Sequence, residues 1–105
     1  EEIEGIHFLV GDLHSAHSIS ANLHNSNGKT IPIWEFCSSP FEQKPFRLAW
    51  LLDHPTKSPA LREQKRHFTV SKINYGIVEV SFSKKKNPQV NFELNYEKKG
   101  NWFTK

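Results

Sequence analysis

The sequence predicts an α+β chain, mainly antiparallel β with one short helix, and three observations carry that prediction. Apolar residues alternate with polar ones through Phe68 and Val70, through Val78, Val80 and Phe82, and through Val90, Phe92, Leu94 and Tyr96. A period of two marks strands with one buried face. Clusters of Gly, Asn, Pro and Lys punctuate those runs at hairpin spacing. Eight Phe, three Trp and two Tyr in 105 residues supply flat rings that pack across strands.

Taken in order, the first element is Gly5 to Val10, a nearly continuous apolar run. Such a run reads as a central strand covered on both faces. Gly11-Asp12-Leu13-His14 then turns the chain. Ser18 to Leu23 alternates weakly and predicts a second strand, closed by the turn cluster Asn25-Ser26-Asn27-Gly28. Ile31 to Phe36 returns beside it, giving a hairpin of Ser18–Leu23 against Ile33–Cys37, with Pro32 tolerated only near a strand start or on an edge. Phe46 to Leu52, bounded by Pro45 and Pro55, favours a short buried helix of about two turns.

Thr56 to Arg66 alternates in charge and reads as a surface connection with a helical turn at Ala60–Gln64. Asn74-Tyr75-Gly76 is expected to turn or bulge. Lys84 to Gln89, with Asn87-Pro88, is expected to join two strands, and Lys98-Lys99-Gly100-Asn101 to turn the chain before Trp102-Phe103. The chain thus divides into residues 1–44 (strand, loop and hairpin), 45–66 (helix and connection) and 67–105 (antiparallel strands), as one domain or part of one.

Composition excludes several classes. The net charge of +3 is concentrated at Lys84-Lys85-Lys86 and Lys98-Lys99, beside turns, where it reads as solvated hairpin tips. The aromatics alternate into strand interiors rather than interleaving with basic residues along one face, so nucleic-acid binding is not expected. A single cysteine, Cys37, excludes an internal disulfide framework. No stretch reaches the roughly 18 apolar residues of a membrane-spanning helix. The chain opens on Glu1-Glu2-Ile3-Glu4 without Met, which leads us to expect that it is cut from a longer polypeptide.

The residues with chemistry sit at the end of the first strand. Strand interiors are spent on packing, so the first polar side chains past a strand's end are those free to reach a site. Asp12 and His14 are two apart and share a face of any extended continuation. The bland alternative is a turn in which Asp12 bonds nearby backbone and His14 is solvated. His14, His17, His24 and Cys37 also carry zinc-ligating chemistry, as imidazole and thiolate at a tetrahedral centre. Their spacing matches no standard zinc module, and the alternative is two loop histidines and a small buried thiol.

Three segments follow one another along the chain: Gly11-Asp12-Leu13-His14-Ser15-Ala16, then Trp34-Glu35-Phe36-Cys37-Ser38-Ser39-Pro40, then Asn74-Tyr75-Gly76-Ile77-Val78-Glu79-Val80. Together with Glu97-Lys98-Lys99-Gly100 after the last long strand, they resemble the C-terminal portion of PhoD-like phosphatases, the alkaline phosphatase D family of calcineurin-like metallophosphoesterases, over nearly the whole chain. The resemblance implies the closing part of an α/β sandwich and a parent enzyme that hydrolyses phosphomonoesters or phosphodiesters. It implies that His14 is a metal ligand, with Asp12 a ligand or a neighbour of one, and that Gly11, Ser38 and Ser39 lie near the site. A two-metal phosphoesterase needs six or more ligands, and the only aspartates here are Asp12 and Asp53. The remaining ligands, and the catalytic set, would come from an N-terminal remainder of the same enzyme. The segment alone would then be inactive. Divalent or mixed metals are implied, their identity open among iron, calcium, zinc and manganese, and a secreted, periplasmic or surface-associated location goes with the family. A reading without chemistry also stands: a small β-rich module that binds a protein or glycan through aromatics such as Tyr75 and Trp102.

Overall fold

The structure is a computed structural model that describes residues 5–48, 61–84 and 86–105. Seven strands follow in order: β1 (Ile6–Val10), β2 (Ala16–His24), β3 (Thr30–Cys37), β4 (Leu61–Val70), β5 (Asn74–Ser83), β6 (Lys86–Lys98) and β7 (Asn101–Thr104). They form a four-stranded sheet of order β1-β3-β2-β4 and a three-stranded sheet of order β5-β6-β7. All pairs are antiparallel except β1 with β3. Mainly β architecture is therefore as expected.

The short helix is not seen among the described residues. Arg47 and Leu48 lie in a turn, and Ala49 to Leu52 fall outside the described residues. Leu61 to Gln64, expected in a helical turn, are strand. Their alternation was hidden by a bulge, where Glu63 takes a φ of 53° between the pairs Ser20↔Lys65 and Asn22↔Arg62.

Local turn chemistry explains the hairpins. The β2–β3 hairpin forms where expected, with Ser18 opposite Phe36 and Leu23 opposite Ile31. Asn25 Oδ1 accepts hydrogen bonds from the N–H groups of Asn27 and Lys29 at 3.0 and 2.8 Å, and Gly28 takes a φ of 77°. Pro32 is accommodated because the β1–β3 ladder starts one residue later, at Ile33, so its missing N–H is not needed there. Lys99 and Gly100 both have positive φ, 54° and 79°, in a two-residue loop between paired Lys98 and Asn101. Positive φ at both central residues matches the twist of the flanking strands.

Three further expectations are corrected. The connection between β5 and β6 is shorter than Lys84–Gln89, since Lys86 already pairs with Ser83 and Pro88 lies within β6 at a register irregularity. Asn74-Tyr75-Gly76 neither turns nor bulges: it opens β5 in regular register with Asn95 and Leu94. Gly76 is needed for close approach instead, because a Cβ there would stand 2.7 Å from the Phe92 ring. Finally, β1 is an edge strand among the described residues, paired to β3 alone, and Phe8, Leu9 and Val10 are exposed.

The core lies where the sheets meet. Ser18, Ser20, Trp34 and Phe36 share one face of the four-stranded sheet by register, and the Phe36 ring stacks on Phe92 of β6 at 4.6 Å. Leu94 is fully buried against Ala16 and Val70, with Phe68, Phe92 and Tyr96 around them. A bulge in β4 gives Phe68 and His67 contacts on the same face: Phe68 stacks on Phe92 and His67 stacks on Trp34 at 4.8 Å. Only the root of the β5–β6 hairpin shares this core. Val78, Val80 and Phe82 are exposed, so the half-buried alternation expected of β5 is not realised.

Candidate functional site

Three loops meet at one end of the four-stranded sheet. Parallel pairing of β1 with β3 brings their carboxyl ends together, so the residues after Val10 and after Cys37 emerge side by side, with the Ser38 N–H donating to the Val10 carbonyl at 3.3 Å. The β1–β2 loop is tightly wound: Asp12 and His14 both have left-handed backbones, φ 61° and 52°. Asp and His tolerate this conformation better than most side chains. The consequence is a compact turn with Asp12 exposed and His14 half-buried.

His14 is anchored by its backbone and its ring. Its N–H donates to Ser39 Oγ at 3.2 Å, and its carbonyl accepts from the Phe46 N–H at 2.7 Å. Ring Nδ1 lies 3.2 Å from the Lys44 carbonyl. A carbonyl only accepts, so Nδ1 carries the proton and, in the neutral ring, Nε2 holds the lone pair. A backbone carbonyl that fixes one ring nitrogen so that the other can ligate is a recurrent support for metal-binding histidines.

Ser38 and Ser39 are held by Asn74. The Asn74 side chain is 1% exposed. Its Nδ2 donates to the carbonyls of Ser39 and Lys72, each at 2.7 Å, and its Oδ1 accepts from Ser38 Oγ at 3.0 Å. Its N–H donates to the Pro40 carbonyl at 2.9 Å, past a cis Ser39–Pro40 peptide. Every polar group of this buried amide is thereby satisfied, as burial demands. Gly11, Asp12, His14, Ser38 and Ser39 thus do gather in one region. Asn74 is the member whose role the sequence hid, although it opens the Asn74-Tyr75-Gly76 segment; the Lys44 carbonyl carried no sequence signal.

The zinc set is not gathered. His17 is buried on β2 with Nε2 2.8 Å from Glu35 Oε1. Cys37 is fully buried, and its thiol donates to the Ser15 carbonyl at 3.3 Å. Burial pushes that thiol up to about 11, and the Glu35 carboxylate adds to the rise. His24 ends β2 seven residues beyond His17, about 23 Å along an extended strand. There Nδ1 lies 3.2 Å from Thr30 Oγ1. Among the described residues no group of three or more His, Cys, Asp or Glu side chains is placed to hold a metal ion.

A second feature lies on the outer face of the three-stranded sheet. Tyr75 and Trp102 stand 5.2 Å apart, and Phe41 meets Tyr75 edge-on at 6.3 Å, all three exposed.

Among the described residues no helix is long and apolar enough to cross a membrane. Comparison with protein-family models, with curated proteins and with solved structures finds no match to this chain.

Proposed function

We propose that this chain is the C-terminal part of a PhoD-like, metal-dependent phosphoesterase and brings His14 to a metal centre whose other ligands lie elsewhere in the polypeptide. The observation that carries the reading is the interlocking of its three motif segments: His14 is bonded to Ser39, and Ser38 and Ser39 are bonded to Asn74. Segments far apart in sequence converge on an imidazole whose Nε2 is free for a metal. Asp12, exposed two residues before His14, would ligate the metal or orient a ligand. A metal bound there would activate water and neutralise phosphoryl oxygens. This chain would hold the ring in its tautomer through Lys44 and brace the loop through Ser39 and Asn74. With at most two ligands, it would not turn over substrate alone.

The test uses the full-length polypeptide that carries this segment. His14→Ala should lower bound metal, measured by elemental mass spectrometry, and reduce hydrolysis of a chromogenic phosphodiester about 100-fold or more. His24→Ala should change neither. Unchanged metal content and turnover in His14→Ala would exclude the reading. The Phe41–Tyr75–Trp102 ledge favours a second reading, a module that binds a glycan or protein. Glycan-array binding abolished by Trp102→Ala, in a polypeptide without phosphoesterase activity, would select it.

A further inference from the structure

The outer face of the three-stranded sheet is acidic, in a chain whose net charge is +3. Alternate residues of β6 from Gln89 to Glu97, with their partners on β5 and β7, stand on that face. They include three carboxylates, Glu79, Glu93 and Glu97, and no Lys, Arg or His. Glu93 accepts from Asn95 Nδ2 at 2.9 Å and Glu97 from the Gly100 N–H, each through one oxygen, and Glu79 is exposed. Among the described residues none of the three forms an ion pair. Lys105, three residues after Trp102, lies over the Phe68 ring on the opposite face instead. At one end of the acidic row stands the Phe41–Tyr75–Trp102 ledge, with Trp102 directly across from Glu97. Phe41 is 61% and Trp102 49% exposed, and large rings gathered in the open mark an interface. The rings are not coplanar: Tyr75 and Trp102 are inclined at 53°, Phe41 and Tyr75 at 74°. A sugar chain stacks on coplanar rings. Inclined rings beside a carboxylate turn their negative faces in two directions, which suits a cation.

We propose that this face docks an extended polypeptide segment bearing several Arg or Lys residues, with one cationic side chain on the ledge beside Glu97 and others along Glu93 and Glu79. Asn91, the partner of Glu79, lies six residues before Glu97 on β6, about 20 Å along the strand. A single small cation cannot span that row, whereas a segment with spaced cations can. The proposal rests on the second reading of the ledge, which it narrows to one partner, and is independent of the metal centre.

The probe is a fluorescein-labelled peptide of alternating Arg and Ser, with a citrulline counterpart that keeps its shape and lacks its charge. Binding to the full-length polypeptide is read by fluorescence anisotropy at physiological ionic strength. The arginine peptide should bind and the citrulline peptide should not. Trp102→Ala should weaken binding about 10-fold or more. Glu79→Gln with Glu93→Gln should do the same and also flatten the salt dependence. Phe82→Ala, which removes a ring 79% exposed at the hairpin tip, should bind as the native chain does. Amide protection at Leu94 reports that each variant is folded. No binding of the arginine peptide, equal binding of the two peptides, or undiminished binding by the Trp102 and double-Gln variants would overturn the proposal. So would Trp102-dependent binding of cellohexaose in place of the peptide, which would assign the ledge to a glycan. Metal content and phosphodiester hydrolysis of the native sample keep the two ideas apart. Peptide binding without metal or hydrolysis sinks the phosphoesterase reading alone; metal and hydrolysis without peptide binding sink the docking proposal alone.

Discussion

The Asn74 amide ties the strand that begins the three-stranded sheet to the Ser39 carbonyl of the loop that follows β3, at 2.7 Å. One side chain therefore links both sheets and the loop on which His14 rests. Asn74→Ala would leave the Ser39 and Lys72 carbonyls without this donor in a buried place. The expected cost is about 2–3 kcal/mol, read by urea denaturation, together with sharper loss of amide protection at His14 than at Ile31. A cost below about 0.5 kcal/mol would show the link to be idle.

Gly76 and Gly28 separate two reasons for glycine. A Cβ at Gly76 meets the Phe92 ring at 2.7 Å and Ser38 Cβ at 3.1 Å, while one at Gly28 meets nothing within 4 Å. Phe92 is itself stacked on Phe36 and Phe68 and has little room to yield. Gly76→Ala should cost about 1–3 kcal/mol through packing. Gly28→Ala should cost about 1 kcal/mol through its left-handed backbone, and Gly28→Asn should recover most of that loss. Thermal unfolding of the three variants ranks them.

Cys37 makes stability fall in alkali. Its thiol is raised from 9.0 to about 11, so between these values the folded chain keeps a proton that the unfolded chain has lost. Unfolding free energy then drops by about 1.4 kcal/mol per pH unit over that window, and the contribution is fully present below pH 9. The quantity to measure is the difference between the native chain and Cys37→Ala, which isolates this one group. That difference should be flat below pH 9 and slope above it. The native thiol should also resist aromatic disulfide reagents at pH 8.

Glu35 serves His17 and acts on Cys37. Glu35→Gln retains an acceptor for the buried His17 Nε2 and should cost less than about 1 kcal/mol, whereas Glu35→Ala leaves that nitrogen without its 2.8 Å partner and should cost about 1–3 kcal/mol. Both substitutions remove a negative charge near Cys37 and should lower its thiol titration, followed by thiolate absorbance.

What the sequence disclosed was local. The β2–β3 and β6–β7 hairpins could be read because Asn25 to Gly28 and Lys99-Gly100 encode their turns within a few residues. The place of β1 could not be read, because an apolar run is the same whether its neighbours are present or not. The first half of β4, Leu61 to Arg66, was hidden by its charge and its bulges, while Phe68 and Val70 were read as strand; the exposure of β5 follows from a packing offset that periodicity does not record. At the candidate site, Asp12, His14, Ser38 and Ser39 were legible as motif residues. The bonds that unite them through Asn74 span 25 to 36 positions and leave no local trace.

The sheet order also sets a timetable for the growing chain. Phe36 and Phe68 belong to strands synthesised well before β6 delivers Phe92 and Leu94 to cover them. A ribosome adding about 5–20 residues per second leaves that aromatic face bare for a second or more. Pairing of β2 with β4 must meanwhile close a long loop, whereas β5 and β6 zip locally. Nascent chains stopped before Phe92 are thus the species that chaperones should retain, and those that include Leu94 should be released.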